Sequence, residues 1–405
     1  MGLRLARGNT PGGQLSDMTQ AGRARPDGLT VEDARPSSSR RSADTLRAQV
    51  DVWLKARPDI TQAKVTELSV PETNGMSSET IMVTASWAEA GQATPMSHPL
   101  VFRLAPDLNS MPIFESYDLE LQFNLMRDVA AASDVPIPRV IWYESDRSHV
   151  GSEFFVMQRC DGEVPADVLP YNFGDSFLFD APPEDQVRLQ RSSVQLLAEL
   201  HAVDDPISRF PYLATAAGIG SGDSSELALR NLVTRMRAHY EYVSSDGRRS
   251  SLIEEAFDWV EAHWSDLRID QNPVLLWGDS RIGNVLYRDF EPAGVLDWEM
   301  ATIGPRELDV SWMIFMHQFF EDVAHQLDLP GMPEFMRAEE VIATYGELTG
   351  HTLANMDFFA VVSALHHAII MSQVGRRATV FGDGILPEDI NDLIMHRRLL
   401  SAYMA

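Results

Sequence analysis

Cysteine and long apolar runs are scarce in this sequence, and each scarcity excludes a class of protein. Among 405 residues only Cys160 is a cysteine, so an intramolecular disulfide and a metal site of several cysteines are both excluded. No apolar run approaches the roughly 18 to 20 residues of a membrane span, so no membrane partner is expected. The first residues lack the apolar core of a secretory signal, and the expected location is therefore cytoplasmic.

Basic residues are also scarce, because 33 of them face 59 acidic residues and the formal net charge is −26. Broad binding of nucleic acid requires a basic surface that displaces counterions, so nucleic acid is not an expected partner. Only Lys55 and Lys64 are lysines, and all the other basic residues are arginines. Any task beyond residue 64 that needs a permanent cation therefore falls to arginine.

The length and the order of patterns predict two lobes behind a flexible tail. Residues 1–43 contain too little apolar surface to offset the entropy of ordering them, so they are predicted to be the tail. Residues 44–159 contain a helix, three strands, a second helix at 114–132 and two more strands, which predicts a small sheet with one packed helix. Residues 160–405 are predicted to be mainly helical, apart from a short β-rich stretch at 274–298. The fold class is therefore α+β, with helices expected at 184–203, 224–245, 251–265, 307–323, 337–348 and 355–375.

The β-rich stretch carries the residues with a chemical pattern. An apolar strand leads to Asp279, Asn284 follows five residues later, and a short hairpin then brings Asp297 to the end of a strand. The interval from Asp279 to Asn284 is that of a kinase catalytic loop. In such a loop the first carboxylate reaches an acceptor hydroxyl, while the amide and the second carboxylate converge on Mg²⁺, which prefers oxygen ligands.

The segments Trp277-Gly-Asp-Ser-Arg-Ile-Gly-Asn284 and Gly294-Val-Leu-Asp-Trp-Glu299 resemble the aminoglycoside phosphotransferase family of kinase-like enzymes. Within that family they are most similar to the branch of kinase domains linked to acyl-CoA dehydrogenases. The resemblance implies a two-lobed protein-kinase-like fold, ATP and Mg²⁺ as cofactors, and Asp279 as the catalytic base. It also implies Asn284 and Asp297 as metal ligands and Asp309 as a residue that braces the loop. Trp277 departs from the family, which usually has histidine there.

A turn between the first two predicted strands is the expected phosphate-binding segment. The backbone N–H groups of Gly75, Ser77 and Ser78 could contact phosphates there, although the same residues also suit an ordinary hairpin turn. No Walker A motif with its lysine occurs in the chain.

Arg103 is the only cation on the third predicted strand, the position where a kinase-like site needs a positive charge. The resemblance implies that Arg103 holds the nucleotide phosphates and that Glu120, on the following helix, is its acidic partner. Glu115 and Asp118 are the alternatives for that partner. A solvated arginine at the edge of a sheet is the other interpretation of Arg103.

The stretch 154–162 resembles the hinge that joins the two lobes of a kinase. In that resemblance Met157 lines the adenine pocket, and the backbones of Gln158 and Cys160 face the edge of the base. Cys160 is then a small packing residue and not a nucleophile.

The sequence therefore predicts an enzyme that transfers the γ-phosphoryl group of ATP to a hydroxyl of a small molecule, either aminoglycoside-like or hydroxyacyl-CoA-like. Two other classes remain open, a non-catalytic nucleotide-binding module and a metal-dependent hydrolase. The acceptor pocket is expected to draw on the segments 224–245, 311–320 and 363–375. Its candidate residues are aromatic or partly basic: Arg235, Arg237, His239, Trp312, Met316, His317, His366 and Gln373.

Overall fold

The computed structural model describes residues 42–71, 78–89, 91–106, 111–380 and 384–405. All but the last two residues of the predicted tail lie outside these ranges. The described chain forms a β-rich N-terminal lobe and a mainly helical C-terminal lobe, which confirms the predicted α+β, protein-kinase-like class.

The N-terminal lobe is an antiparallel five-stranded sheet with two helices. Its elements are α1 (Ala43–Lys55), β1 (Ile60–Ser69), β2 (Glu79–Glu89), β3 (Met96–Leu104), α2 (Leu119–Ala132), β4 (Val140–Glu144) and β5 (Phe154–Gln158). The strand order is β1-β2-β3-β5-β4, which places β3 in the middle of the sheet. Helix α1 buries Leu46, Val50, Trp53 and Leu54 against this sheet, the face that their helical spacing predicts.

The second helix begins five residues later than the sequence pattern indicates. The side chain of Asp118 accepts a hydrogen bond from the backbone N–H of Leu121 (2.7 Å) and fixes the start of α2 at Leu119. Residues 111–117, here called the bridging segment, instead run across to the other lobe. Gln373 donates to the carbonyl of Pro112 and His239 donates to the carbonyl of Ile113, both at 2.9 Å.

The described part of the C-terminal lobe contains all six helices that the sequence pattern predicts and three short α-helices that it does not. The predicted helices are α3 (Pro183–His201), α6 (Ser225–Val243), α7 (Ser251–Ala262), α8 (Glu307–Gln326), α9 (Ala338–Thr349) and α10 (Met356–Val380), and the additional ones are α4 (Pro206–Arg209), α5 (Pro211–Ala217) and α11 (Arg397–Tyr403). Between α7 and α8 lie two small antiparallel pairs. In the first, β6 (Val274–Leu276) pairs with β9 (Thr302–Gly304), and in the second β7 (Val285–Arg288) pairs with β8 (Glu291–Val295).

Helix α10 is an exception to the expectation that no segment is long and apolar enough to span a membrane. By length and composition alone it could cross a membrane, because an 18-residue window has a mean hydropathy of 1.5. Sixty-seven per cent of that window is buried inside the protein, where α10 packs against α6, α7, α8 and α11. The same apolar composition is typical of a central helix in a hydrophobic core.

Candidate active site

The loop that carries Asp279 leaves β6 through a turn that only glycine fits. Gly278 has φ +88°, and a Cβ atom built there would lie 2.2 Å from the carbonyl oxygen of Met300. A left-handed backbone and a close backbone approach both favour glycine, because it has no side chain. The turn brings Asp279 directly out of the buried strand.

Asp309 fastens this loop to the first turn of α8. Its two carboxylate oxygens accept hydrogen bonds from the backbone N–H groups of Trp277 and Gly278, each at 2.8 Å. Its carbonyl accepts a third bond from the hydroxyl of Ser280 (2.7 Å), and His201 lies 3.2 Å from its carboxylate. One buried acidic residue therefore holds the two positions before Asp279 and the one after it, which is the bracing contact implied by the family resemblance.

Trp277, which stands where the family usually has histidine, ties the loop to the metal-ligand candidate. Its side chain is fully buried, and the indole N–H donates to the carbonyl of Leu296 at 2.9 Å. Leu296 immediately precedes Asp297, so the tryptophan joins the two halves of the motif through a backbone hydrogen bond.

The carboxylate of Asp279 is held from both sides. One oxygen accepts the indole N–H of Trp312 (2.8 Å), and the other accepts the side-chain amide of Asn284 (2.7 Å). The guanidinium of Arg281 lies 3.2 Å from the second oxygen. Burial raises the pKa of Asp279 above the ordinary value for aspartate, and Arg281 opposes that shift. A carboxyl group with a raised pKa in a fixed orientation suits a general base.

Arg281 and Asp167 belong to this cluster although the sequence pattern did not single them out. The Arg281 guanidinium bridges Asp279 and Asp167, whose nearest carboxylate oxygen is 2.9 Å away. A Cβ atom at Gly283 would lie 2.3 Å from Asp167, so the glycine makes room for that carboxylate. The position of Arg281 two residues after Asp279 was a usable signal, whereas Asp167 lies in an irregular segment before α3 that carries none.

Asp297 and Arg103 meet across the cleft between the lobes. Asp297 follows β8 with φ +58°, and its carboxylate lies 3.4 Å from the guanidinium of Arg103 at the end of β3. Arg103 also donates to the hydroxyl of Thr80 on β2 (2.9 Å). The side chains of Arg103 and Asp297 are only 15% and 19% exposed, so this is a partly desolvated pair.

The expected pair between Arg103 and Glu120 is not formed in the described structure. Glu120 is exposed on the first turn of α2, because the helix starts at Leu119 and turns this residue toward solvent. The acidic partner of Arg103 is Asp297, contributed by the other lobe.

The turn expected to bind phosphate lies mostly outside the described residues. Gly75 and Ser77 lie outside the described residues. Ser78 is 7% exposed at the start of the second strand, and its hydroxyl has no hydrogen-bond partner within the described ranges. A buried hydroxyl in that state can still accept or donate a hydrogen bond to a ligand.

The hinge candidates divide between the core and the surface. Met157 is buried at the end of β5, whereas the side chain of Gln158 is exposed. The N–H of Gln158 donates to the carbonyl of Arg139 (2.9 Å), so this donor is already used inside the sheet. Burial raises the pKa of the Cys160 thiol, which agrees with a packing role rather than a nucleophilic one.

The oxygen atoms near Asp279 suit a magnesium ion. The amide nitrogen of Asn284 is engaged with Asp279, so its oxygen, with only a long 3.4 Å contact to Arg281, is the atom left for a cation. Asp297 adds a carboxylate. Across the described ranges, no group of three His, Cys, Asp or Glu side chains could hold a metal by itself. Two protein ligands completed by phosphate oxygens and water are the arrangement that Mg²⁺ commonly adopts.

Part of the expected acceptor pocket assembles beside the base. A small cavity of about 30 Å³ is lined by Gly278, Thr302, Trp312 and His366, among other residues, so it touches the catalytic loop directly. Arg235, on α6, donates to Thr302 (3.4 Å) and to the carbonyl of Ala217 (3.0 Å). His239 and Gln373 hold the bridging segment over the same region.

Three of the expected pocket residues lie elsewhere. Arg237 points away from Arg235, because two residues correspond to more than half a helical turn, and it pairs with Glu254 (3.3 Å). His317 is buried and hydrogen-bonded to Tyr171 (2.7 Å). Met316 is part of the hydrophobic core.

Comparisons with known proteins agree with this geometry. The chain is 24% identical over 276 residues to IBR3, a probable acyl-CoA dehydrogenase of Arabidopsis thaliana, which covers 65% of the chain and 31% of IBR3. It is 23% identical over 286 residues to human acyl-CoA dehydrogenase family member 11, which covers 68% of the chain and 33% of that protein. The chain thus matches about a third of the length of these curated relatives.

Solved structures share the fold at low identity. A Ralstonia eutropha protein assigned as an aminoglycoside phosphotransferase aligns with a TM-score of 0.58 at 17% identity, which covers 88% of this chain and 96% of that one. The ADP-bound aminoglycoside phosphotransferase APH(2'')-Ib aligns with a TM-score of 0.50 at 11% identity, which covers 88% and 98%.

The family model described as the phosphotransferase enzyme family matches residues 94–340, more than half of the chain. That range contains β3 with Arg103, the hinge, the catalytic loop and Asp309. The chain therefore belongs to the phosphotransferase enzyme family, as a kinase-type enzyme with the two-lobed fold of that family.

Proposed function

We propose that the protein uses ATP and Mg²⁺ to transfer the γ-phosphoryl group to a hydroxyl of a small molecule. The observation that carries this proposal is the pair of converging carboxylates. Asp279 is oriented by Trp312 and Asn284, and Asp297 lies close enough to raise the pKa of Asp279 by its charge. An ADP-bound neighbour of the same fold supports the choice of an adenine nucleotide.

In this mechanism the acceptor hydroxyl lies against Asp279, which takes its proton. The hydroxyl oxygen forms a bond to the γ-phosphorus while the bond from that phosphorus to the β-γ bridging oxygen breaks, and ADP leaves. Catalysis is mainly positioning and electrostatic stabilisation, as in other phosphoryl transfers. The Asp309 contacts keep the loop from moving, and Trp312 keeps one oxygen of Asp279 fixed.

Asn284 and Asp297 would hold the Mg²⁺, which neutralises charge on the phosphates when it is bound. Arg103 contributes a second positive charge from the other lobe, and Ser78 offers its hydroxyl nearby on the same sheet. Met157 and the backbone of Cys160 are the proposed contacts of the adenine. Gly75 and Ser77 remain proposed phosphate contacts.

Two substitutions distinguish the role of the catalytic base from the role of the nucleotide and metal site. We expect Asp279→Asn to bind Mg²⁺-ATP almost normally in calorimetry, because the substitution keeps size and shape. Phosphoryl transfer should fall by about 10²–10⁴, the usual contribution of a general base. Asn284→Ala should reduce both binding and transfer, since it removes a proposed metal ligand.

The matched control is Asp289→Asn, the same substitution at an exposed turn with φ +52°, where asparagine is well tolerated. It should leave transfer unchanged. The acceptor is first sought by a screen of aminoglycosides, hydroxyacyl-CoA thioesters, sugars and amino alcohols, with slow transfer to water as the fallback reaction. Full turnover by Asp279→Asn, measured while chemistry limits the rate, would overturn the assignment of Asp279 as the base. Binding of Mg²⁺-ATP by the wild type without transfer to any acceptor or to water would favour a nucleotide-binding module.

A further inference from the structure

Arg235 is a partly buried cation that has no acidic partner within the described part of the chain, whose formal charge is −26 overall. Its guanidinium donates only to the carbonyl of Ala217 and the hydroxyl of Thr302 among the residues described, and it forms no ion pair with them. Burial lowers its pKa, with no nearby carboxylate to offset the shift. Desolvating a charge without a counter-charge is unfavourable. An anion bound at this position would therefore offset part of the desolvation free energy of the guanidinium.

This cation lies beside the catalytic loop. Thr302, which accepts from Arg235, pairs across the small β6–β9 ladder with Leu276, three residues before Asp279. The same threonine lines the cavity formed by Gly278 and Trp312, and the Trp312 indole is hydrogen-bonded to Asp279. The guanidinium of Arg235 is therefore one hydrogen bond away from a residue that lines the cavity beside the base.

The neighbours of Arg235 do not neutralise it. Burial lowers the pKa of His366 to about 3 and also lowers the pKa of His239, so both imidazoles are uncharged near neutral pH. Arg235 itself contributes to the low pKa of His366, which means that the two groups are close. The one carboxylate among the described residues that line the cavity, Asp309, is already engaged with the backbone N–H groups of Trp277 and Gly278.

We propose that the acceptor carries an anionic group, a carboxylate or a phosphate, which binds Arg235 while the acceptor hydroxyl lies at Asp279. This inference rests on the proposed function and narrows its substrate class. A polycationic aminoglycoside would have to place ammonium groups beside an unpaired guanidinium, which costs free energy at short range. A planar guanidinium suits either anion, because it can donate two parallel hydrogen bonds.

The experiment compares acceptors that differ in one charge. 3-Hydroxybutyrate is paired with its methyl ester, glycerol 3-phosphate is paired with glycerol, and hygromycin B is the polycationic probe. ADP formation with Mg²⁺-ATP gives kcat/KM for each. For at least one pair, the anion should exceed its neutral partner by about ten- to a hundredfold, the ratio expected of a charge-assisted hydrogen bond. The pair that responds distinguishes carboxylate from phosphate.

Two variants of Arg235 and one control variant test whether the preference for anionic acceptors depends on Arg235. Arg235→Gln should lose it, and Arg235→Lys should keep part of it and exclude misfolding as the cause of the loss. Arg230→Gln is the control, because Arg230 lies on the same helix but pairs with Glu226 (3.0 Å) over the ring of Trp264. It should behave as the wild type does. Equal use of anionic and neutral acceptors, or a preference that survives in Arg235→Gln, overturns the inference.

Calorimetric binding of 3-hydroxybutyrate and glycerol 3-phosphate separates this inference from the proposed function. If an anion binds the wild type and not Arg235→Gln while no transfer to any acceptor or to water occurs, the anion site stands and the phosphotransfer mechanism fails. If transfer to hygromycin B or to glycerol occurs and neither anion binds, the mechanism stands and the anion site is wrong. Binding and transfer that are both absent for the anions overturn the anion site as well.

Discussion

Arg103 is the residue through which the small lobe contacts the metal-ligand candidate of the large lobe. Its guanidinium is anchored by Thr80 at 2.9 Å and lies 3.4 Å from Asp297. Bound phosphates would compete for the same guanidinium. Under the proposed function, Arg103 would exchange its acidic partner Asp297 for a phosphate when nucleotide binds.

We expect Arg103→Ala to weaken Mg²⁺-ATP binding about tenfold to hundredfold, because charge-assisted hydrogen bonds to phosphate contribute roughly 1.5–3 kcal/mol. Arg103→Lys should recover only part of the loss, since a point charge and a planar fork contact phosphate differently. Calorimetry with a non-hydrolysable ATP analogue measures both. The control is Arg147→Ala, which removes a 68% exposed arginine from the same lobe. Unchanged affinity in Arg103→Ala would assign this residue to lobe contact alone.

At the scale of the element, the turn from β6 into the catalytic loop depends on one glycine. Gly278 and Gly222 have nearly the same backbone angle, φ +88° and +86°, but only Gly278 is crowded. A Cβ atom at Gly278 would lie 2.2 Å from a backbone oxygen, whereas nothing lies within 4 Å of one at Gly222. The two positions separate backbone strain from steric overlap.

Gly222→Ala should lower the free energy of unfolding by about 1–2 kcal/mol, the cost of a left-handed conformation for an L-residue. Gly278→Ala should lower it by more, because Met300 and the loop must also move, and transfer should fall with it. Urea unfolding and phosphoryl transfer measure the two effects. If the two variants unfold at the same urea concentration, the close approach to Met300 has no energetic consequence.

Periodic elements were predictable from the sequence, and irregular ones were not. Helix α1 and the six long helices of the large lobe have apolar residues at helical spacing, which is a strong local signal. Residues 114–117 of the bridging segment were predicted to be helical, because their aromatic residues extend the apolar pattern of α2 and the capping role of Asp118 was not recognised. The short helices α4 and α5 each begin at a proline and are too brief to establish a period.

In the candidate active site, the spacing of residues that are close in sequence predicts the catalytic loop. Contacts between segments that are distant in sequence were not predictable. The interval from Asp279 to Asn284 identifies the loop in the sequence alone. The replacement of Glu120 by Asp297 as the partner of Arg103 depends on how the lobes meet. The clamp between Arg281 and Asp167 joins residues more than a hundred positions apart. Such contacts produce no periodic pattern of residues, so a single sequence does not predict them.

At the scale of the whole molecule, buried histidines link folding to pH. His317 and His396 are 4% and 0% exposed, and burial lowers the pKa of each to about 4. In the unfolded chain the pKa of histidine is about 6.5, so between these values the unfolded state binds more protons. Their contribution to stability is therefore complete above about pH 6.5 and is lost as the pH falls toward the folded pKa.

We expect the free energy of unfolding to be about 2 kcal/mol lower at pH 5 than at pH 7 for each of these two histidines. Urea unfolding across that range measures the slope. His317→Gln should reduce the slope by one such contribution, whatever it does to stability at pH 7. His325→Gln, at an exposed position on the last turn of α8, is the control. A slope that His317→Gln does not alter would mean that the buried imidazole does not control the acid sensitivity.

The bridging segment joins the two lobes and would couple the two proposed substrate sites. It follows the strand that carries Arg103, and its carbonyls are held by His239 and Gln373 on the acceptor side. A rigid shift of the small lobe on nucleotide binding would therefore move the bridging segment relative to the proposed acceptor pocket. By linkage, any factor by which nucleotide changes acceptor affinity must equal the factor by which acceptor changes nucleotide affinity. Such a coupling would pass through the seven residues of the bridging segment.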